Sequence, residues 1–507
     1  MLDTTSDPRP RAVVIGSGFG GLAAAVRLGA RGYRVTVLEK LDKPGGRAYT
    51  YKQDGFTFDA GPTIITAPYL LEELWTLAGK KFSDHIDLRA SDPYYDIRFD
   101  DGRVFRYSGD HERMRAEVRK FNPGDVDGFE RFMVKSAEIY KTAFGELAEV
   151  PFHSFPFMMR CAPKLIQLGG HRAVYSTVSK YFTDPSLRVV FSFHPLLIGG
   201  NPLTTTSYYC LIAHLERTYG VHYAMGGTGA LVRGLVDLIE GQGGEVICNT
   251  PVDRINMAGD TKSQRATGVT LEGGETIASD IVVSNADAGF TYKHLLRYQP
   301  RRVWSDAKVK SKSYSMSLFV WYFGTNKRFE DVPHHTMVLG PRYRELLKDI
   351  FKRKHLAEDF SLYLHRPTAS DPSLAPDGCD AFYVLSPVPN LLSGTDWQDK
   401  APAYRQAILD RLEETILPGL GETIVTERML TPQDFQDRLN SINGAAFAME
   451  PKLFQSAWFR PHNRSQEGEN LFLVGAGTHP GAGVPGVISS AKVLDDVVPD
   501  ANVFAKA

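Results

Sequence analysis

Gly16, Gly18 and Gly21 stand at the three glycine positions of G-x-G-x-x-G, directly after the apolar run Ala12-Val13-Val14-Ile15. A strand-to-helix turn of that composition cradles a diphosphate. Gly16 permits the tight turn, Gly18 lets the backbone approach the anion without a Cβ, and Gly21 lets the next helix pack close to the strand. The helix, expected from Leu22 to about Ala30, aims free N–H groups and the positive end of its dipole at the phosphates. Roughly 20 residues further on, a second expected strand, Val35 to Leu38, ends in Glu39, whose carboxylate suits the hydroxyls of an unphosphorylated ribose. Pro44-Gly45-Gly46-Arg47 follows at once. Two glycines bring the backbone near an anionic cofactor, and a guanidinium pairs with phosphate oxygens.

A matching arrangement closes the chain. Leu471 to Gly475 reads as a strand, 476–486 is glycine-rich with Gly477 and Gly486, and Val487 to Lys492 opens a helix whose N-terminus points at a ligand.

These two ends must be brought together by the elements between them. Phe56 to Pro62 is expected as a short strand and turn, and Leu71, Leu74, Trp75 and Ala78 give one apolar helix face. Tyr95 to Phe99 and Val104 to Tyr107, split by Asp101-Gly102, read as a hairpin. Residues 112–220 are mostly helical in pattern, interrupted by Pro151, Pro156, Pro163 and Pro195. A second nucleotide segment begins near His222: Gly226-Gly227-Thr228-Gly229, a helix from Ala230 to Glu240, then Glu245 to Cys248 leading to Val252. A hairpin around Gly273-Gly274 returns to Ile281 to Ala286, another expected buried strand. Strands are expected at 314–323, 360–364 and 382–385, and Tyr404, Ile408, Leu412 and Ile416 mark a helix.

The fold class is therefore α/β: a Rossmann-like dinucleotide domain from 10–70, 222–292 and 466–507, an inserted mixed-sheet substrate domain from 71–111 and 293–465, and a helical subdomain over 112–221 that offers a membrane-facing surface. At 507 residues with 43% apolar side chains, the chain is long enough for several cores. A net charge of −1 with no basic stripe argues against nucleic acid as a partner. Cys161, Cys210, Cys248 and Cys379 are far apart, which argues against a zinc centre or a redox dithiol and suits a reducing cytoplasm. The acidic N-terminus lacks the apolar core of a signal, and no run reaches the roughly 18 to 20 apolar residues of a spanning helix.

The G-x-G-x-x-G, Glu39, G-G-R series resembles the superfamily of flavin amine oxidases and carotenoid desaturases, in which the G-G-R loop lies along the FAD diphosphate. Several longer stretches are similar to the bacterial-type phytoene desaturases: Gly55-Phe56-Thr57-Phe58-Asp59-Ala60-Gly61-Pro62-Thr63, Phe191-Ser192-Phe193-His194, Gly199-Gly200-Asn201-Pro202, 457–464, and above all Gly475-Ala476-Gly477-Thr478-His479-Pro480-Gly481-Ala482-Gly483. The resemblance covers about 11–495 and implies an FAD cofactor, with Val252 clamping the adenine and the helix at Val487 facing the flavin pyrimidine edge. One departure is Ala476, where many of the wider superfamily carry an acid for a ribityl hydroxyl, a role left to Thr478 or the backbone.

The implied reaction is stepwise desaturation of phytoene, a colourless C40 polyene, to neurosporene or lycopene, with oxygen or a membrane quinone as electron acceptor. No base is identified; Arg160, His194 and His479 are the candidates. The aromatic segment Pro151 to Met159, with Lys164, Arg172 and Lys180 beyond it, is a candidate entrance on the cytoplasmic membrane surface. The rival readings are a desaturase or isomerase for another polyene, a flavin amine oxidase, and a non-enzymatic binding protein.

Overall fold

The computed structural model describes residues 7–260 and 263–504. Its centre is a five-stranded, all-parallel sheet in the order Leu471–Leu473, Ile281–Ser284, Arg11–Ile15, Arg34–Leu38, Glu245–Ile247. Three stretches far apart in sequence thus lie edge to edge, with Val14 opposite both Val37 and Val283. The strands are continuous apolar runs because both faces are covered. Ala12, Val14, Val37 and Val283 point into a core shared with the helix Phe19–Ala30, while Val13, Ile15, Val282 and Leu471 point into a second core. That second core lies under an antiparallel three-stranded sheet, Val252–Ala258, Arg265–Leu271 and Thr276–Ala278. Helix Phe19–Ala30 packs on Val484–Lys492, Thr228–Gly241 and Tyr69–Leu77.

A seven-stranded mixed sheet forms the other half. Its order is Ile424–Leu430, Ser317–Thr325, Asp380–Val388, Leu362–His365, His335–Val338, Tyr95–Arg98, Val104–Tyr107, antiparallel except where His335–Val338 meets Tyr95–Arg98. Alternation along the strands decides its two faces. Phe319, Trp321, Phe323, Phe382 and Val384 cover Ile408 and Leu412 of the helix Trp397–Thr415. Leu318, Tyr383, Leu385 and Met337 face inward onto a large cavity.

Some expectations shift in detail. Strand His222–Ala224 pairs with Leu88–Ala90 and not with the nucleotide sheet. Ile416 caps the helix that ends at Thr415. Pro163 does not interrupt its helix, which runs over Phe155–Gln167. A proline removes one i→i−4 bond, here to the carbonyl of Met159, and the helix continues through that loss.

Candidate functional site

A single cavity of about 750 Å³ runs from the glycine turn to the inner face of the mixed sheet. At one end stand Gly16, Gly18, Gly20, Glu39, Gly45, Gly46 and Arg47, with Val252 beside Thr250 and Pro251. At the other stand Phe193, Leu196, Leu197, Leu211, Ile212, Leu318, Met337 and Leu385. Gly475 and Gly483 to Val487 line the stretch between.

The turn has no room for side chains. Gly16 sits at φ +91°, and a Cβ on Gly21 would lie 2.1 Å from the Gly16 carbonyl oxygen. A Cβ on Gly20 would lie 2.7 Å from Asn285 Oδ1. The first intrahelical bond is Leu22 N–H to Gly18 O, so the preceding amides of the helix have no carbonyl partner in the turn behind, and no side chain caps them. Gly45 and Gly46 adopt φ of +124° and +56°, and the loop is tied on by Gly45 N–H donating to Ser17 O at 3.1 Å. A second uncapped N-terminus, that of Val484–Lys492, opens on the same cavity behind Gly483 at φ +96°. A Cβ on Gly486 would meet Gly481 O at 2.7 Å.

The buried Glu39 carboxylate accepts from Ser17 N–H at 2.9 Å, Ser17 Oγ–H at 2.5 Å and Leu41 N–H at 2.8 Å. A carboxylate has about four lone-pair sites, so one remains for a ribose hydroxyl. These features fit FAD: two positive helix ends, a backbone cradle closed to any Cβ, and an acid with capacity left over.

Other expected residues pack around these loops. Gly21 and Gly477 lie outside the cavity lining; a Cβ on Gly477 would be 2.7 Å from Ala288 Cβ, so both serve close packing behind the loops. Arg47 lines the cavity and is tied to the chain by two of its five N–H donors, Nε to Ala446 O at 2.6 Å and one on Nη2 to Ser441 Oγ at 3.1 Å. Burial pulls its pKa down, and Asp287 opposes that shift. Thr478 is buried and donates to Pro461 O at 2.5 Å, so it does not stand in for the acid missing at Ala476.

The three candidate catalytic residues separate. Arg160 is exposed on the outside of Phe155–Gln167, over the Phe157 ring, and is not part of the cavity wall. An outward turn of the helix carries it away from the chemistry. His194 is buried behind the wall, 3.2 Å from Glu216 Oε2. His479 does line the cavity; its Nε2 lies 3.0 Å from Leu147 O, and burial lowers its pKa to about 4, so it is neutral near pH 7.

Three functional features escaped the sequence reading. Asn285, after the strand Ile281–Ser284, donates from Nδ2 to Gly16 O at 3.2 Å and packs against Gly20 and Gly475, joining the distant glycine loops. Glu216 brings a buried carboxylate to the apolar half of the cavity. Its signal is a charge four residues after Ile212 on the apolar face of Leu211–Tyr219. Thr63, Tyr363 and Tyr383 form a hydroxyl cluster in the same wall, and Tyr363 continues to His335 Nδ1 at 2.7 Å. His334, His335 and His365 then form one buried group, where burial holds all three neutral.

The Flavin containing amine oxidoreductase family matches residues 19–493. The phytoene desaturase (neurosporene-forming) of Cereibacter sphaeroides is 50% identical over 97% of this chain and 95% of its own length. The phytoene desaturase (lycopene-forming) of Pantoea ananas is 50% identical over 96% and 99%. Among solved structures, a putrescine oxidase superposes with a TM-score of 0.66 at 14% identity, over 98% of this chain and 99% of that one. An oxidoreductase from Methanosarcina mazei superposes with a TM-score of 0.65 at 16% identity, over 96% and 100%. Both likenesses concern the fold. Near-full-length identity of this order, on a chain whose glycine loops, Glu39 and second helix end converge on one cavity, places the protein in the Flavin containing amine oxidoreductase family and, within it, among the bacterial-type phytoene desaturases.

Proposed function

We propose that this protein is an FAD-dependent desaturase that removes hydrogen from phytoene in successive steps, giving neurosporene or lycopene. The observation that carries the reading is the continuity of the cavity: the dinucleotide cradle opens directly into an apolar chamber suited to a hydrocarbon. Bound FAD supplies the hydride acceptor. Glu39 and the turn from Gly16 to Gly20 hold its adenosine diphosphate half, and Gly45 and Gly46 let the backbone run close beside it. The N-terminus at Val484 to Val487 favours the negative charge that accompanies reduction. Leu196, Leu197, Leu211 and Ile212 hold the polyene by burial and keep water from a cationic carbon. The electron acceptor is oxygen or a quinone.

The substrate must come from a bilayer, because each Å² of exposed hydrocarbon costs about 25 cal/mol and such a chain exposes many hundreds. Helix Phe155–Gln167 is the proposed contact on the cytoplasmic face. Phe155, Met159 and Ile166 are 49%, 54% and 59% exposed and share one stripe, while Phe152 and Leu165 of the same region line the cavity. No described helix is long and apolar enough to cross a membrane, so the contact is peripheral. Vesicle flotation checks this: a Phe155→Asp, Ile166→Asp variant is expected to lose most of its binding while keeping its melting temperature. Equal flotation of variant and wild type refutes the contact.

The activity is tested by incubating FAD-loaded protein with phytoene in liposomes and recording absorption spectra of the extracted polyenes. New long-wavelength bands are expected, and their positions count the double bonds made. Bound flavin with unchanged phytoene would overturn the substrate.

A further inference from the structure

We infer that Glu216 is the catalytic residue that takes up the proton in each desaturation; the inference rests on the proposed reaction. Removing two hydrogens from adjacent carbons takes a hydride, which carries its electron pair to the bound flavin, and a proton. The C–H electron pair left by that proton becomes the new π bond. The positive carbon formed by hydride loss makes the neighbouring C–H strongly acidic, so the acceptor has to be well placed and negatively charged more than strongly basic.

Glu216 meets those requirements. Its side chain is about 1% exposed, yet it belongs to the cavity wall, on the same helix as Leu211, Ile212 and Leu215. Tyr95 OH donates to Oε1 at 2.7 Å, and His194 Nε2 lies 3.2 Å from Oε2. The charged and titratable groups that face it are Tyr94 and Tyr95, Tyr107 from Val104–Tyr107, and His194 from the turn His194–Ile198. Among the described residues, no lysine or arginine lies within ion-pair distance of it. A carboxylate buried against a tyrosine and a histidine costs free energy that an ordinary core residue would not. Its place in the wall of the chamber where positive charge develops is a function that repays this cost.

The tyrosine and histidine fix the carboxylate's direction and leave further lone pairs for the substrate. Arg160 and His194 lack this placement, the first being outside the cavity and the second behind Glu216. His479 lines the cavity too, but its Nε2 is engaged with the Leu147 carbonyl 3.0 Å away.

Glu216→Gln keeps the size of the side chain, and its amide oxygen can accept from Tyr95, while the charge is lost. With wild type converting phytoene in the same assay, the variant is expected to bind FAD and melt as wild type does, but to desaturate at least roughly 100-fold more slowly. A readout that does not depend on turnover accompanies it. A long-chain isoprenoid ammonium places a fixed positive charge in an apolar chain, as the reacting polyene does. Its binding, followed as thermal stabilisation, should exceed that of the matching neutral alcohol about tenfold in wild type and lose this preference in the variant. The inference is overturned if Glu216→Gln desaturates within twofold of wild type, or if the ammonium preference persists without the carboxylate. Failure of wild type itself to convert phytoene would instead overturn the substrate assignment.

Discussion

Replacing Gly21 by alanine is expected to yield protein without FAD. The added Cβ would lie 2.1 Å from the carbonyl oxygen of Gly16 and 3.1 Å from Asn285 Cβ. The nearer neighbour is backbone, so no rotamer change relieves the overlap, and the helix Phe19–Ala30 has to back away from the strand Arg11–Ile15. That movement withdraws the uncapped N-terminus from the diphosphate and disturbs Asn285, whose Nδ2 holds Gly16 O. Overpacking of this kind costs about 1–3 kcal/mol, and against backbone the upper end applies, which corresponds to an affinity loss of roughly 100-fold. Flavin absorbance of the purified variant, and melting with and without added FAD, measure the effect. Gly273→Ala is the control, because a Cβ there meets nothing within 4 Å. Recovery of Gly21→Ala with stoichiometric FAD and wild-type melting would contradict the account.

The second large effect is expected at Asp380, which begins a strand of the mixed sheet and is fully buried. Its carboxylate accepts from Arg366 Nε at 2.9 Å, Thr368 Oγ1 at 2.6 Å and Phe329 N–H at 2.7 Å. Arg366 is itself about 3% exposed and also donates to Val332 O at 2.7 Å. Asp380→Ala leaves a buried guanidinium without its counter-charge and two further donors without an acceptor, a loss of about 3–5 kcal/mol. Urea and thermal unfolding read this directly. Exchanging both partners, Asp380→Leu with Arg366→Met, should recover only the part due to the unpaired guanidinium, because Phe329 N–H and Thr368 Oγ1 still lack their acceptor. A single variant within about 1 kcal/mol of wild type would show the pair to be dispensable.

The position of the pair explains why its loss would reach the site. It fixes the start of Asp380–Val388, and that strand carries Tyr383 and Leu385 to the cavity wall. Tyr383 OH in turn donates to Gly61 O at 3.0 Å, linking the wall to the segment beside the G-G-R loop.

Much of the nucleotide half was legible in the sequence. Its strands are short apolar runs that end in glycine, asparagine or acid, and its helices begin where small residues permit close approach. Such signals are local: a turn that needs φ above zero, or a helix that needs a missing Cβ, imposes its residue whatever lies around it. The hairpin Tyr95–Arg98 with Val104–Tyr107 and the helix Trp397–Thr415 were legible for the same reason, since period and turn residues are properties of the segment.

The composition of the cavity wall was not legible in that way. Arg160, His194 and His479 were singled out by residue type, and the fold turned one outward, buried one behind a carboxylate and left one in the wall. Glu216, Asn285 and Tyr363 passed unnoticed, because a glutamate in an amphipathic helix or a tyrosine in a strand looks ordinary until its neighbours are known. By itself, then, the sequence determined the α/β class, the diphosphate turn and its acid, and the flavoprotein resemblance, all carried by residues whose backbone requirements are local. Only the tertiary structure decided which polar groups lie in the wall of the apolar chamber, because that depends on how strands and helices distant in sequence pack together, and on the exclusion of water that gives a buried carboxylate its chemical weight.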